Sequence, residues 1–147
     1  MIIAIGSDHA GWELKEDIKK SLKEKGISYH DFGPETDDSV DYPEYAVKVA
    51  KAVSKGDYPF GILVCGSGIG VSIVANKISG IRSALCWTEE MAEMSRHHNN
   101  ANILSLGARF LEKGNALRMV HKFLNTDFEA GGRHERRVQQ IHDLTKR

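Results

Sequence analysis

Along the whole chain, short apolar runs alternate with segments whose apolar residues recur every three or four positions. Ile2-Ile3-Ala4-Ile5, ending at Gly6, reads as a first, fully buried strand. Leu14, Ile18 and Leu22 then repeat on one face, predicting a helix that stops before Gly26. Ile27 to Phe32 reads as a second strand, followed by an irregular acidic stretch from Gly33 to Tyr42. A helix opens near Pro43 with Ala46, Val49, Ala50 and Val53 inward. Three further strands are predicted over 60–64, 83–86 and 102–106, each followed by helical sequence. Val71 to Ile78 is the first of these helices, and Met91 and Met94 read as the core side of the second. A last helix, Arg133 to Leu144, follows the Gly131-Gly132 break and is strongly polar, which suits packing on a partner subunit better than packing on this core.

Such alternation predicts an α/β fold: a Rossmann-like, doubly wound, five-stranded parallel sheet with helices on both faces. In these sheets ligands bind beyond the carboxyl ends of the strands, where the strand order reverses. If that point lies between the first and third strands, the Ser7-Asp8-His9 turn faces the loop that begins at Cys65.

That loop carries the densest chemistry. Cys65 ends an aliphatic run, and Gly66, Gly68 and Gly70 alternate after it, so backbone N–H groups can converge on an oxyanion. The positive end of the following helix favours a thiolate and is expected to lower the Cys65 pKa below its free value of about 8.5, making Cys65 a candidate base or nucleophile. An inert cysteine in a glycine-rich turn is the plainer alternative. The spacing is neither GxxxxGK[ST] nor GxGxxG, which disfavours a nucleotide site. Asp8 is placed either to touch a ligand or to cap the helix that follows it. His97-His98-Asn99-Asn100 supplies imidazole and amide groups near another strand end. Arg109, just past the fifth strand, is well placed for a ligand. Arg133, Arg136 and Arg137 form a basic group that either grips a phosphate or is simply solvated. The acidic stretch is a lid or a solvated loop, and Cys86 reads as packing.

Composition narrows the field. With 147 residues and 41% hydrophobic content, the chain is expected to form one domain spanning 1–147. Lys plus Arg and Asp plus Glu are both 20, so no overall field favours nucleic acid or a membrane. Two cysteines make neither a secreted framework nor a zinc pattern. The seven histidines lack HExxH or paired Cys/His spacing, so no metal is expected. No run approaches membrane-spanning length and no leader is visible, which points to the cytoplasm.

Several motifs in one order then resemble a known family nearly end to end. They are Gly6-Ser7-Asp8-His9-Ala10-Gly11, Asp41-Tyr42-Pro43, Cys65-Gly66-Ser67-Gly68-Ile69-Gly70, Ala75-Asn76-Lys77, Gly80-Ile81-Arg82, His98-Asn99, and Gly132-Arg133-His134 with Arg137. The chain resembles the ribose-5-phosphate isomerase B family, which also includes galactose-6-phosphate and allose-6-phosphate isomerases.

The resemblance implies an aldose-ketose isomerase of the pentose phosphate pathway, using an enediolate and no metal or cofactor. By it, Cys65 is the base, and His98 with Ser67 opens the furanose ring. Asn99 and the amides of Gly66, Gly68 and Gly70 hold the reacting oxygens, and Asp8 and Tyr42 contact hydroxyls. His9, Arg133 and Arg137 bind phosphate, with Arg109 reaching in from a second subunit. It also implies a homodimer, or a tetramer, with sites built between subunits. Ser67 stands where many members carry Thr, which leaves pentose and hexose phosphates as alternative substrates. A non-catalytic sugar-phosphate sensor would need the phosphate grip but neither the Cys65 base nor the His98 acid. Nucleic-acid binding through the last helix lacks interleaved aromatics.

Overall fold

The computed structural model describes residues Met1–Arg147. The chain forms five strands: β1 (Ile2–Ser7), β2 (Ser28–Asp31), β3 (Phe60–Cys65), β4 (Ser83–Leu85) and β5 (Ile103–Gly107). The periodic segments form α1 (Trp12–Glu24), α2 (Tyr42–Ser54), α3 (Ile69–Asn76), α4 (Glu89–His97), α5 (Lys113–Leu124) and α6 (Arg133–Thr145). Boundaries differ from the sequence reading by a residue or two. Ile27, for example, closes α1 instead of opening β2, because its N–H donates to Leu22 O at 2.9 Å beside Gly26, whose φ is +70°.

All pairings are parallel and the strand order is β2-β1-β3-β5-β4. The chain therefore leaves β1 for β2 on one side and returns to place β3 on the other. That reversal is the predicted doubly wound switch point, and it sets the ends of β1 and β3 side by side, with Ser7 in register with Val64. A second reversal inserts β5 between β3 and β4, so Cys65 pairs with Gly107.

Two apolar layers cover the sheet. On one face Ile3, Ile5, Ile62 and Leu104 pack with Ile18 and Leu22 of α1, Ala92 of α4, and Met119 and Phe123 of α5. On the other, Ala4, Leu63 and Ile103 pack with Val49 and Val53 of α2 and Val71 and Ala75 of α3. Each fully buried aliphatic side chain here contributes roughly 1.5–3 kcal/mol of burial free energy. Helix α6 lies outside these layers and buries only His134 and Val138.

The expectation that Met91 and Met94 are core is corrected: they are 41% and 40% exposed. Helix α4 turns Ala92, Ser95 and Arg96 inward, an i, i+3, i+4 stripe that leaves both methionines on its flanks. No helix is long and apolar enough to cross a membrane.

Candidate active site

A cleft of about 630 Å³ opens at the β1/β3 switch point, lined by Asp8, His9, Tyr42, Cys65, Ser67 and Arg109 with the backbone of Gly66 and Gly70. The local sequence explains how each group comes to be there. Asp8 follows β1 directly, and its Oδ1 accepts from Gly11 N–H at 2.9 Å. It thus both shapes the turn into α1 and lines the cleft. His9 Nδ1 lies 3.1 Å from Val40 O and 3.2 Å from Val40 N, so the acidic loop engages one ring nitrogen and leaves Nε2 for other contacts.

The acidic loop is anchored at its two ends, while residues 35–39 between them are exposed to solvent. Lys15 of α1, fully buried, donates to Asp31 Oδ1 at 2.9 Å, to Asp31 Oδ2 at 3.0 Å and to Pro34 O at 2.6 Å. Burial alone would raise the Asp31 pKa, but hydrogen bonds from Lys19, Lys15 and the Gly33 N–H hold it below its ordinary value. This network fastens the stretch that leads to Val40 and Tyr42.

Cys65 is 4% exposed, and its Sγ accepts from Gly68 N–H at 3.1 Å. An N–H aimed at sulfur is complementary to a thiolate. Gly68 caps α3 with φ +77°, and a Cβ there would stand 2.8 Å from Leu106 C, so only glycine fits this turn. At Gly70 an added Cβ would stand 2.5 Å from Tyr42 Cζ, so the missing side chain lets the phenol lie against the loop. Ser67 Oγ accepts from Ile69 N–H at 3.2 Å.

Arg109, expected from a second subunit, lines the cleft of its own chain, its Nη1 3.0 Å from where a Gly66 Cβ would be. The cause is the strand order: β5 pairs with β3, and the Ala108 and Arg109 N–H groups donate to Cys65 O at 2.8 Å and Gly66 O at 3.0 Å.

His98, Asn99, Arg133 and Arg137 do not line the Cys65 cleft. Asn99 borders a separate cavity of about 670 Å³ between α3 and α6, beside Arg82 and His142. His98 stacks on His134, ring centroids 4.1 Å apart and planes 9° apart. Burial first, then His98, Arg133 and Arg137, holds the His134 pKa below its ordinary value, against Glu129. Cys86 is packing as expected, and burial pushes its pKa up to about 11. No three His, Cys, Asp or Glu side chains gather in a metal-holding group.

Sequence reasoning missed four contributors. Ile69, Ile73 and Phe110 rim the cleft while 49%, 56% and 65% exposed; Ile69 was quoted in the Cys65 motif without a role, and Phe110 is an aromatic beside Arg109. His134 stood inside a quoted motif but received no role.

Residues 3–141 match the family model described as Ribose/Galactose Isomerase. The chain is 42% identical over 145 residues to ribose-5-phosphate isomerase B of Escherichia coli strain K12, covering 99% of this chain and 97% of that protein. It superposes on ribose-5-phosphate isomerase B of Clostridium thermocellum with a TM-score of 0.96 and 49% identity, covering 99% and 98% of the two chains. The ribose-5-phosphate isomerase B of Mycoplasma genitalium, in a crystal structure with bound ribulose-5-phosphate, gives a TM-score of 0.93 and 43% identity, covering 99% and 96%. With the motifs, the fold and the cleft in agreement, the chain belongs to the ribose/galactose isomerase family.

Proposed function

We propose that residues 1–147 form a single catalytic domain that interconverts D-ribose 5-phosphate and D-ribulose 5-phosphate through an enediolate. The carrying observation is Cys65 in the switch-point cleft with a backbone N–H on its sulfur at 3.1 Å. As base, the Cys65 thiolate takes the proton from C2, the C1–C2 double bond forms, and charge moves onto O1. The amides of Gly66 to Gly70 and the amino end of α3 stabilise that oxygen. Return of the proton to C1, with transfer of the hydroxyl proton from O2 to O1, completes the ketose.

Asp8 and Tyr42 contact sugar hydroxyls in this reading, and His9 and Arg109 line the phosphate end. The remaining groups come from a second copy: His98 to open the furanose ring with Ser67, Asn99 on the reacting oxygens, and Arg133 and Arg137 on the phosphate. Two features support that assembly. These four residues do not line the Cys65 cleft of their own chain, and the cleft is rimmed by exposed Ile69, Ile73 and Phe110, apolar surface of the kind subunits cover. The polar helix α6, with Ile141 and Leu144 also exposed, packs on the partner in the same arrangement.

The pentose assignment is supported by the relatives named for ribose 5-phosphate and by the Mycoplasma genitalium enzyme's bound ribulose-5-phosphate. A hexose 6-phosphate is the second reading, since the family description also names galactose. NMR in deuterated water tests the proposal. The wild type is expected to convert ribose 5-phosphate and to place deuterium at the exchanging carbon, while Cys65→Ala binds the sugar phosphate without exchange. Conversion by Cys65→Ala would remove the base assignment, and a higher kcat/KM for a hexose phosphate would remove the pentose.

A further inference from the structure

The His97–Asn100 turn is fastened through its backbone and through Asn100. His98 N–H donates to Met94 O at 2.8 Å, and Glu129 N–H donates to His97 O at 3.0 Å. Arg82 Nε donates to Asn99 O at 3.2 Å and Asn100 O at 2.9 Å, and Arg96 Nη1 to Asn100 Oδ1 at 2.8 Å. These bonds settle where the His98 Cα stands, but none reaches its imidazole. What holds the ring is the face of His134, 4.1 Å away and nearly parallel, with the His97 ring tilted at 53° and 5.2 Å on the other contact. His134 is itself 8% exposed, and its Nε2 lies 3.2 Å from Glu129 Oε2. Glu129 therefore serves twice, its N–H on the turn and its carboxylate on the ring that covers His98.

We propose that His134 is a positioning residue for His98, holding the imidazole by its face so that both ring nitrogens stay free, with Glu129 fixing His134 in turn. The inference rests on the reading of His98 as the ring-opening group. Ring opening asks one imidazole to manage two protons' positions. The C1 hydroxyl loses its proton, its electron pair forms the carbonyl, the C1–O4 bond breaks onto O4, and O4 takes a proton, so no atom is gained or lost. A histidine anchored through an N–H bond has only one nitrogen left for this; one anchored by stacking has two. Contacts that fix a reacting group's orientation act on kcat for the step concerned and leave other steps alone.

Ring opening and proton transfer can be read separately. Ribose 5-phosphate is a furanose, whereas ribulose 5-phosphate cannot close a furanose ring because its 5-hydroxyl carries the phosphate. Forward conversion needs both steps, and solvent deuterium entering ribulose 5-phosphate needs proton transfer alone. His98→Asn serves as reference and is expected to lose forward conversion and keep exchange. His134→Ala is expected to lower forward kcat about 10- to 100-fold, with KM and ketose exchange within about twofold of wild type. His134→Phe, which keeps a flat ring, recovers most of that loss, and Glu129→Gln falls between. If His134→Ala does not fold, the Phe and Gln variants carry the same comparison. Equal loss of both readouts, or a Phe variant no better than Ala, overturns the positioning role while leaving His98 in place. No split between the readouts in His98→Asn removes the ring-opening reading, and this inference with it.

Discussion

The two cysteines occupy nearly the same address in the fold. Cys65 is the last residue of β3, and Cys86 follows β4 by one residue. Both are almost wholly buried, at 4% and 2% exposure, in apolar layers on opposite faces of the sheet. What separates them is the start of the helix that follows. Helix α4 is closed: Thr88 Oγ1 accepts from Met91 N–H at 3.1 Å, and Glu89 and Glu90 sit in the first turn against the positive end of the helix. Helix α3 is more open: its cap is Gly68, which has no side chain, no acid lies in the first turn, Ser67 Oγ takes only the Ile69 N–H, and the Gly68 N–H donates to Cys65 Sγ. In the proposed reading, similar thiols at similar strand ends take different roles according to whether the next helix leaves a donor for the sulfur or closes its own cap. At Cys86 burial outweighs the hydrogen bond from Ser95, and the thiol is pushed up to about 11.

The largest expected effect is on turnover. Cys65→Ala should lower kcat at least about a thousandfold, while Cys86→Ala stays within about twofold and loses stability on the order of 1 kcal/mol. Alkylation sharpens the contrast. At pH 8 only about one Cys86 thiol in a thousand is ionised, given a pKa of about 11, so iodoacetamide should mark Cys65 in the folded protein and spare Cys86. Equal loss of activity in the two alanine variants would dissolve the comparison.

Next in size is the glycine that makes room for Tyr42. Gly70 lies inside α3 and has no positive φ, so alanine suits the helix and should hold or raise Tm. The new Cβ would nevertheless meet the Tyr42 ring at 2.5 Å and push it off the loop. Gly70→Ala is therefore expected to raise KM about tenfold without destabilising the fold. A drop in Tm with unchanged KM would mean that the glycine serves packing alone.

A smaller change tests whether the open helix end is completed by a second copy. Mixing Cys65→Ala with His98→Asn subunits should restore about a quarter of wild-type activity, because half of the dimers are mixed and each has one intact site. No recovery after verified subunit exchange would place both groups in one chain's site.

Much of this was legible in the chain, and the parts that were not share a cause. Ile2–Ile5 and Ile62–Val64 announced strands by β-branching, and Leu14, Ile18 and Leu22 announced a helix by period, because both signals are local. The Cys65 loop was legible for the same reason, since its glycines are the ones a left-handed cap and a close aromatic require. The place of Arg109 beside the Cys65 loop was not legible because nothing local to 102–109 tells that β5 enters between β3 and β4. His134 was passed over because its partner His98 is remote in sequence. Met91 and Met94 misled because hydrophobicity was read without the α4 stripe of Ala92, Ser95 and Arg96.

The smallest effect on turnover is expected at Lys15, where the two halves of the molecule differ again. The Cys86 side is braced by exposed pairs, Arg118 with Glu89 and Lys122 with Glu93, which contribute little. The Cys65 side rests on a lysine with no exposure, bonded to Asp31 and Pro34 at the root of the loop carrying Val40 and Tyr42. Lys15→Met should cost roughly 3 kcal/mol at pH 7 while changing kcat at 25 °C by less than about threefold. The pH dependence follows from the depressed Asp31 carboxyl. Its stabilisation is complete above the unfolded value, 3.8, and is lost as pH falls through the lower folded value. Without Lys15 that depression shrinks, so the stability gap between wild type and Lys15→Met should narrow as pH drops below about 4. Urea titrations at pH 7, 5, 4 and 3 would measure it. A gap that stays constant across that range would assign the Lys15 contribution to its bond with Pro34 O, and the buried ion pair would no longer distinguish the two cysteine sites.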